Sequence, residues 1–138
     1  MNKASKILSA LVLFFVSVLY ISMTYTFQQP AEPWEVSSKF KSMENPTKPD
    51  AQSLKMGRAL YTKECSSCHG KTGKGDGVKA RGLETFPGDF TEESFQGQTD
   101  GEIFYKSKIG RGEMPKFDKK IPDEDIWIMV NYMRTLKK

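Results

Sequence analysis

Both cysteines and the sole histidine of this 138-residue chain fall within five consecutive positions, in the stretch "ECSSCHGKTGKGDG". Cys65, Cys68 and His69 therefore constrain the fold more than any other feature. Whatever chemistry they serve, the rest of the chain must wrap around that one point. A chain of this length has room for one real core, so a single folded domain is expected. Charged residues make up 28% of it, which is ordinary for a folded domain. The formal charge is +4, but residues 51–138 carry 16 basic against 13 acidic side chains. No dense basic run exists, and the charges read as a solvated surface. Nucleic acid is not expected as a partner.

The chain begins with Lys3 and Lys6, followed by "ILSALVLFFVSVLYISM", and no charge appears again until Glu32. A positive start and an apolar run form an export or membrane-insertion signal. The run is about 17 residues, roughly 25 Å as a helix, close to the hydrocarbon thickness of a bilayer. It ends in "SMTYTF", a poor cleavage site, and no cysteine near its end offers a lipid anchor. Residues 1–25 are read as an uncleaved anchor, with the lysines on the cytoplasmic side and everything after Tyr25 outside. The alternative is cleavage, leaving a soluble periplasmic protein. Residues 26–50 contain Pro30, Pro33, Pro46 and Pro49 and no sustained apolar period. They read as a linker, with Trp34 and Phe40 as candidates for docking on the domain.

Residues 51–138 read as an all-α domain. Asp50 can cap a helix from Ala51, along which Leu54, Gly57, Tyr61 and Cys65 share a face. Thr99 and Glu102 form a capping box before "IFYKSKIG", and Gly110 stops that helix. Pro122 and an acidic first turn open a last helix with basic residues at its end, which suits the helix dipole. Ile126, Met129, Val130, Met133 and Leu136 are its apolar stripe. No alternating strand pattern appears. Phe86, Phe90, Phe95 and Phe117 stand in Gly- and Pro-rich loops and need something apolar to pack on.

Four chemistries use a cluster such as Cys65, Cys68 and His69. A structural zinc site wants four protein ligands, and here there is no second cluster. A structural disulfide across two residues removes little chain entropy. A redox disulfide normally sits at a helix N-terminus, where the dipole lowers the first thiol's pKa. This pair sits at the C-terminal end of an expected helix, where the dipole raises it. Covalent haem fits each position: two sulfurs for two vinyl groups, and the adjacent His69 to ligate iron.

A second axial ligand cannot be another histidine of this chain. Met129 and Met133 lie on the apolar stripe, Met56 is tied to the motif's own helix, and Met43 is in the linker. Met114 stands in "IGRGEMPKF", with glycines before it and Pro115 after it. A loop methionine beside proline has little reason to be core, so Met114 is the expected ligand.

Residues 51–137 resemble the class I, mono-haem, c-type cytochromes. The resemblance is carried by "GRALYTKECSSCHGKTGKGDG", "DGEIFYKSKIGRGEMPKF" and "IPDEDIWIMVNYMRTL". It implies a cytochrome c-like fold in which Gly57 and Tyr61 on the first helix cross against Tyr132 on the last. Val78 stands where relatives often have proline, so the carbonyl serving His69's outer nitrogen is not given by the motif. The implied cofactor is one covalent haem c, bound by Cys65, Cys68, His69 and Met114, with iron held by His69 and Met114.

Six-coordinate iron leaves no open position, which implies an electron carrier rather than an enzyme, with no small-molecule substrate. The expected partners are redox proteins, donor and acceptor complexes of a respiratory chain. Three alternatives stay open. The chain is a fixed subunit of an oxidase or dehydrogenase; or an enzyme or gas binder, if Met114 does not ligate; or a membrane-tethered thiol-disulfide oxidoreductase. "GKGDG" resembles phosphate-binding glycine loops, but no strand precedes it.

Overall fold

Asp50 caps the first long helix in the manner its sequence suggests. Its carboxylate accepts from Ser53 N at 2.7 Å while Asp50 N donates to Ser53 Oγ at 2.8 Å. The computed structural model describes residues 7–9, 11–18 and 33–138. It divides into two compact units, Met1–Pro33 and Trp34–Lys138.

In the first unit, residues 7–9 and 11–18 are helical. Their apolar side chains, among them Leu8, Leu13 and Phe15, are exposed. Among the described residues no helix is long and apolar enough to cross a membrane. The rest of the anchor expected over residues 1–25 lies outside the described residues.

The second unit contains α1 (Ser38–Lys41), α2 (Ala51–Glu64), α3 (Ser66–His69), a 3-10 turn (Ala80–Gly82), α4 (Glu93–Gln96), α5 (Asp100–Ile109) and α6 (Asp123–Arg134). Its described residues form no strand; Arg111 and Met114 make an isolated bridge. The all-α expectation is met. The Thr99–Glu102 capping box opens α5, and Gly110 ends it with φ 64°. The acidic first turn of α6 lies at Asp123, Glu124 and Asp125.

The core is a crossing of α2 on α6. Gly57 makes it possible: a Cβ there would come within 2.6 Å of Ile128 O and 2.9 Å of Tyr132 Cβ. Around this contact Tyr61, Ile126 and Val130 are fully buried. The Tyr61 and Tyr132 rings lie 5.3 Å apart. Phe104 of α5 stacks on Trp127 at 4.0 Å, which attaches α5 to the same helix. The stripe expected on α6 is buried through Met133, while Leu136, beyond the helix, is half-buried.

The packed unit starts at Trp34: Trp34 and Phe40 dock as the sequence suggested, and the rest of residues 34–50 lies on the helices with them. Val36 is buried, and the Phe40 ring meets Tyr105 at 4.6 Å. Asn45 and Thr47 bond to Asn131 on α6, and Asn45 also donates to Trp127 O. The prolines forbid a long helix here, but an extended segment can be stitched by side chains as well as by a ladder.

Candidate cofactor site

α2 passes directly into the motif. Cys65 N donates to Tyr61 O, and both Cys68 N and His69 N donate to Cys65 O, at 3.2 and 3.0 Å. The motif is thus one helical turn, in which residues three and four apart are neighbours. Cys65 therefore neighbours both Cys68 and His69, three and four positions on. Gly70, with φ 80°, ends the turn, and its carbonyl accepts from the buried Tyr61 hydroxyl at 2.7 Å.

The glycine loop that follows folds back on the motif. Gly75 N, Gly77 N and Lys79 N donate to His69 O, Cys68 O and Ser67 O. At Gly77 a Cβ would lie 2.4 Å from Ser67 O. The Gly75 and Gly77 amides of "GKGDG" therefore serve α3's last carbonyls and are not turned toward a phosphate.

His69 faces a half-open, largely apolar cleft of about 230 Å³. Phe90, Phe95, Ile103, Met133, Trp34, Lys106 and Met114 also line it. The imidazole lies 4.4 Å from the Phe90 ring, which stacks on Phe95 at 4.1 Å. Of the four loop phenylalanines, Phe90 and Phe117 are buried and Phe86 remains exposed. Burial pushes the His69 pKa down to about 4, and the nearby Pro87 carbonyl offsets part of this. Even so, Nδ1 is buried with no partner in hydrogen-bonding geometry. The imidazole is neutral at neutral pH, with a lone pair free for a metal. Pro87 thus supplies the carbonyl near the ring that the motif did not give.

Met114 is half-buried and lines the same cleft as His69. Its loop is tied down locally. Met114 N donates to Arg111 O at 3.0 Å, and Phe117 N to Lys108 O at 2.9 Å. Glu113 Oε2 accepts from Glu84 N and Thr85 N at 2.9 and 3.3 Å, joining the methionine loop to the one that leads to Pro87. Met133 also reaches the cleft, which its place on the apolar stripe did not reveal. Met129 is buried and Met56 exposed, and neither lines the cleft.

Cys65 packs against the core, and burial, with Glu64 and Cys68 adding to it, pushes its thiol up to about 12. A thiol so reluctant to ionise is a poor attacking group, which argues against the redox-disulfide reading. Cys65 and Cys68 are not among the lining residues of the cleft. Among the described residues no group of three or more His, Cys, Asp or Glu side chains is placed to hold a metal ion, Cys65, Cys68 and His69 included.

Comparison with known proteins accords with this site. The family model described as "Cytochrome C oxidase, cbb3-type, subunit III" matches residues 52–133. No curated protein matches the chain. Similar solved structures include two. One is the reducing HAO-like protein complex Kustc0457/Kustc0458 of Kuenenia stuttgartiensis, 27% identical with a TM-score of 0.62. The alignment covers 83% of this chain and 54% of that one, so the chain spans about half the length of that relative. The other is the KustC0563 c-type cytochrome, 28% identical with a TM-score of 0.53, covering 59% of this chain and 98% of that one. The helical fold and the motif define a mono-haem c-type cytochrome, which carries haem c covalently and transfers electrons. The chain belongs to the family of the cbb3-type cytochrome c oxidase subunit III. The residues present fit the group: a buried imidazole nitrogen without a partner, an aromatic cleft, and a thioether in the same lining.

Proposed function

We propose that Cys65 and Cys68 form the two thioether bonds to haem c and that His69 and Met114 are the axial ligands. The observation that carries this is that His69 and Met114, 45 positions apart in sequence, line one cleft. Haem c supplies a one-electron couple. The chain's own residues do the rest. His69 presents a neutral nitrogen, and the Met114 thioether, a soft ligand, favours the ferrous state and so raises the potential. Phe90, Phe95 and Ile103 keep water from the cleft. With both axial positions taken there is none for substrate, and the protein's part is binding, orientation and electrostatics.

The electrons pass between protein partners at the outer face of a bacterial-type membrane, with residues 1–25 as anchor. Supporting this are Lys3 and Lys6 ahead of an apolar run, and the uncharged stretch up to Glu32. A membrane pellet holding the chain with its native N-terminus is the expected result. Recovery of a soluble form starting near residues 23–31 contradicts the anchor and supports a cleaved, periplasmic protein.

A fixed subunit of a larger complex is favoured over a free shuttle between respiratory complexes. The family is named for an oxidase subunit, and one similar structure is described as part of a protein complex. Co-purification from solubilised membranes separates the two arrangements.

The ligand set is tested by spectroscopy. In the oxidised protein, methionine ligation gives a weak far-red charge-transfer band. Met114→Ala abolishes it and lets added carbon monoxide bind the reduced protein; Met133→Leu leaves it in place. The reverse pattern would hand the ligand role to Met133.

A further inference from the structure

We propose that Lys106 is the counter-ion of a haem propionate, with Gln98 and Trp34 positioning its ammonium at the cleft. This rests on the haem reading above. Lys106, on α5, lines the cleft that holds His69 and Met114, and its side chain is partly withdrawn from water. A cation so placed calls for an anion. Among the described residues none is in contact, and no salt bridge there involves Lys106. Its Nζ donates instead to a neutral amide oxygen, Gln98 Oε1, at 2.6 Å.

The surrounding charges sharpen the point. Glu102 is the acid that acts on Lys106, but its carboxylate is committed to the capping box at Thr99 N and pairs with Lys41 at 3.6 Å. Lys41 and Arg111 are cations and oppose the charged form. Asp89 and His69 are the other titratable groups of the lining. Trp34 completes the setting: its ring lies 6.0 Å from Lys106 Nζ and 4.8 Å from the Arg111 guanidinium. Burial, the largest influence, lowers the ammonium's pKa, as expected for a cation short of a counter-charge. The cofactor that belongs in this cleft brings two carboxylates. A propionate at Lys106 turns an uncompensated partial burial into a charge-assisted hydrogen bond.

The test is the midpoint potential of the holoprotein as a function of pH. An ionised propionate stabilises ferric iron, so the potential falls as pH rises through its ionisation. Lys106 favours the ionised form and holds that fall at low pH. In Lys106→Met the fall moves up by about 1–3 pH units, the effect of removing an opposite charge at contact range. Lys106→Arg returns it toward the wild-type position, which a merely structural role would not do. Should Lys106→Met yield no loaded protein, Lys106→Gln, which can still bond Gln98, is titrated in its place. A variant with normal far-red and visible spectra whose titration has not moved overturns this proposal alone. A wild type that lacks attached haem or the far-red band overturns the reading beneath it.

Discussion

The α2–α6 crossing and the loop shell around the cleft are built on opposite terms. In the crossing, protein meets only protein. Tyr61, Ile126 and Val130 have no exposure, Gly57 lets two backbones touch, and the buried Asn131 has its amide bonded to Asn45 and Thr47. The loop shell holds what the crossing avoids. The described buried polar atoms without partners, His69 Nδ1 and Thr91 Oγ1, are both there. So are the exposed Val78 and Phe86, and every described glycine of positive φ. A region that packs on itself satisfies itself. One shaped for a cofactor keeps groups in reserve and uses glycine to bring backbone around it.

Four variants put that contrast at risk. The largest effect is expected from replacing Cys65 and Cys68 together by alanine, which removes all haem that survives denaturing electrophoresis. Haem staining that persists would place the attachment elsewhere. Next is Gly57→Val, which forces the crossing apart at a cost of about 3 kcal/mol, the upper end for overpacking. The denaturant midpoint falls, while the spectrum of the protein that remains folded is unchanged. An unmoved midpoint would mean that the crossing is looser than the 2.6 Å approach implies. Asn131→Ala leaves Asn45 and Thr47 short of partners and costs about 2 kcal/mol. Hydrogen exchange at residues 45–47 should quicken, and exchange that keeps its pace would show the segment held by its apolar contacts alone. Thr99→Ala, at the cap of α5, costs about 1 kcal/mol. This smallest effect tells whether α5 depends on its cap or on Phe104 against Trp127.

The crossing was the more legible region. Asp50, Thr99, Gly110 and the acidic start of α6 announce helix ends through local chemistry, and the α6 stripe has the helical period. The motif stood out because it holds both cysteines and the sole histidine, whereas Met114 was singled out among five methionines by its loop and Pro115, and it lines the cleft with His69. Residues 34–50 were legible only at Trp34 and Phe40, since prolines and polar side chains look alike in a leash and in a stitched segment. What decides is a partner as distant as Asn131, 86 positions from Asn45. Lys106 was hidden for a related reason. It shares α5 with Lys108, and nothing local marks which lysine turns to the cleft.

Tyr61 belongs to both regions, with its ring in the crossing and its hydroxyl on Gly70 O. The hydroxyl closes a span of nine residues, whereas Gly57 and Ile128 are 71 apart. Closing the short span costs less chain entropy, by the logarithm of that ratio. The two contacts therefore run on different clocks. The turn bearing Cys65, Cys68 and His69 can take shape before the last helix closes on α2, so the motif's local form does not wait for the core.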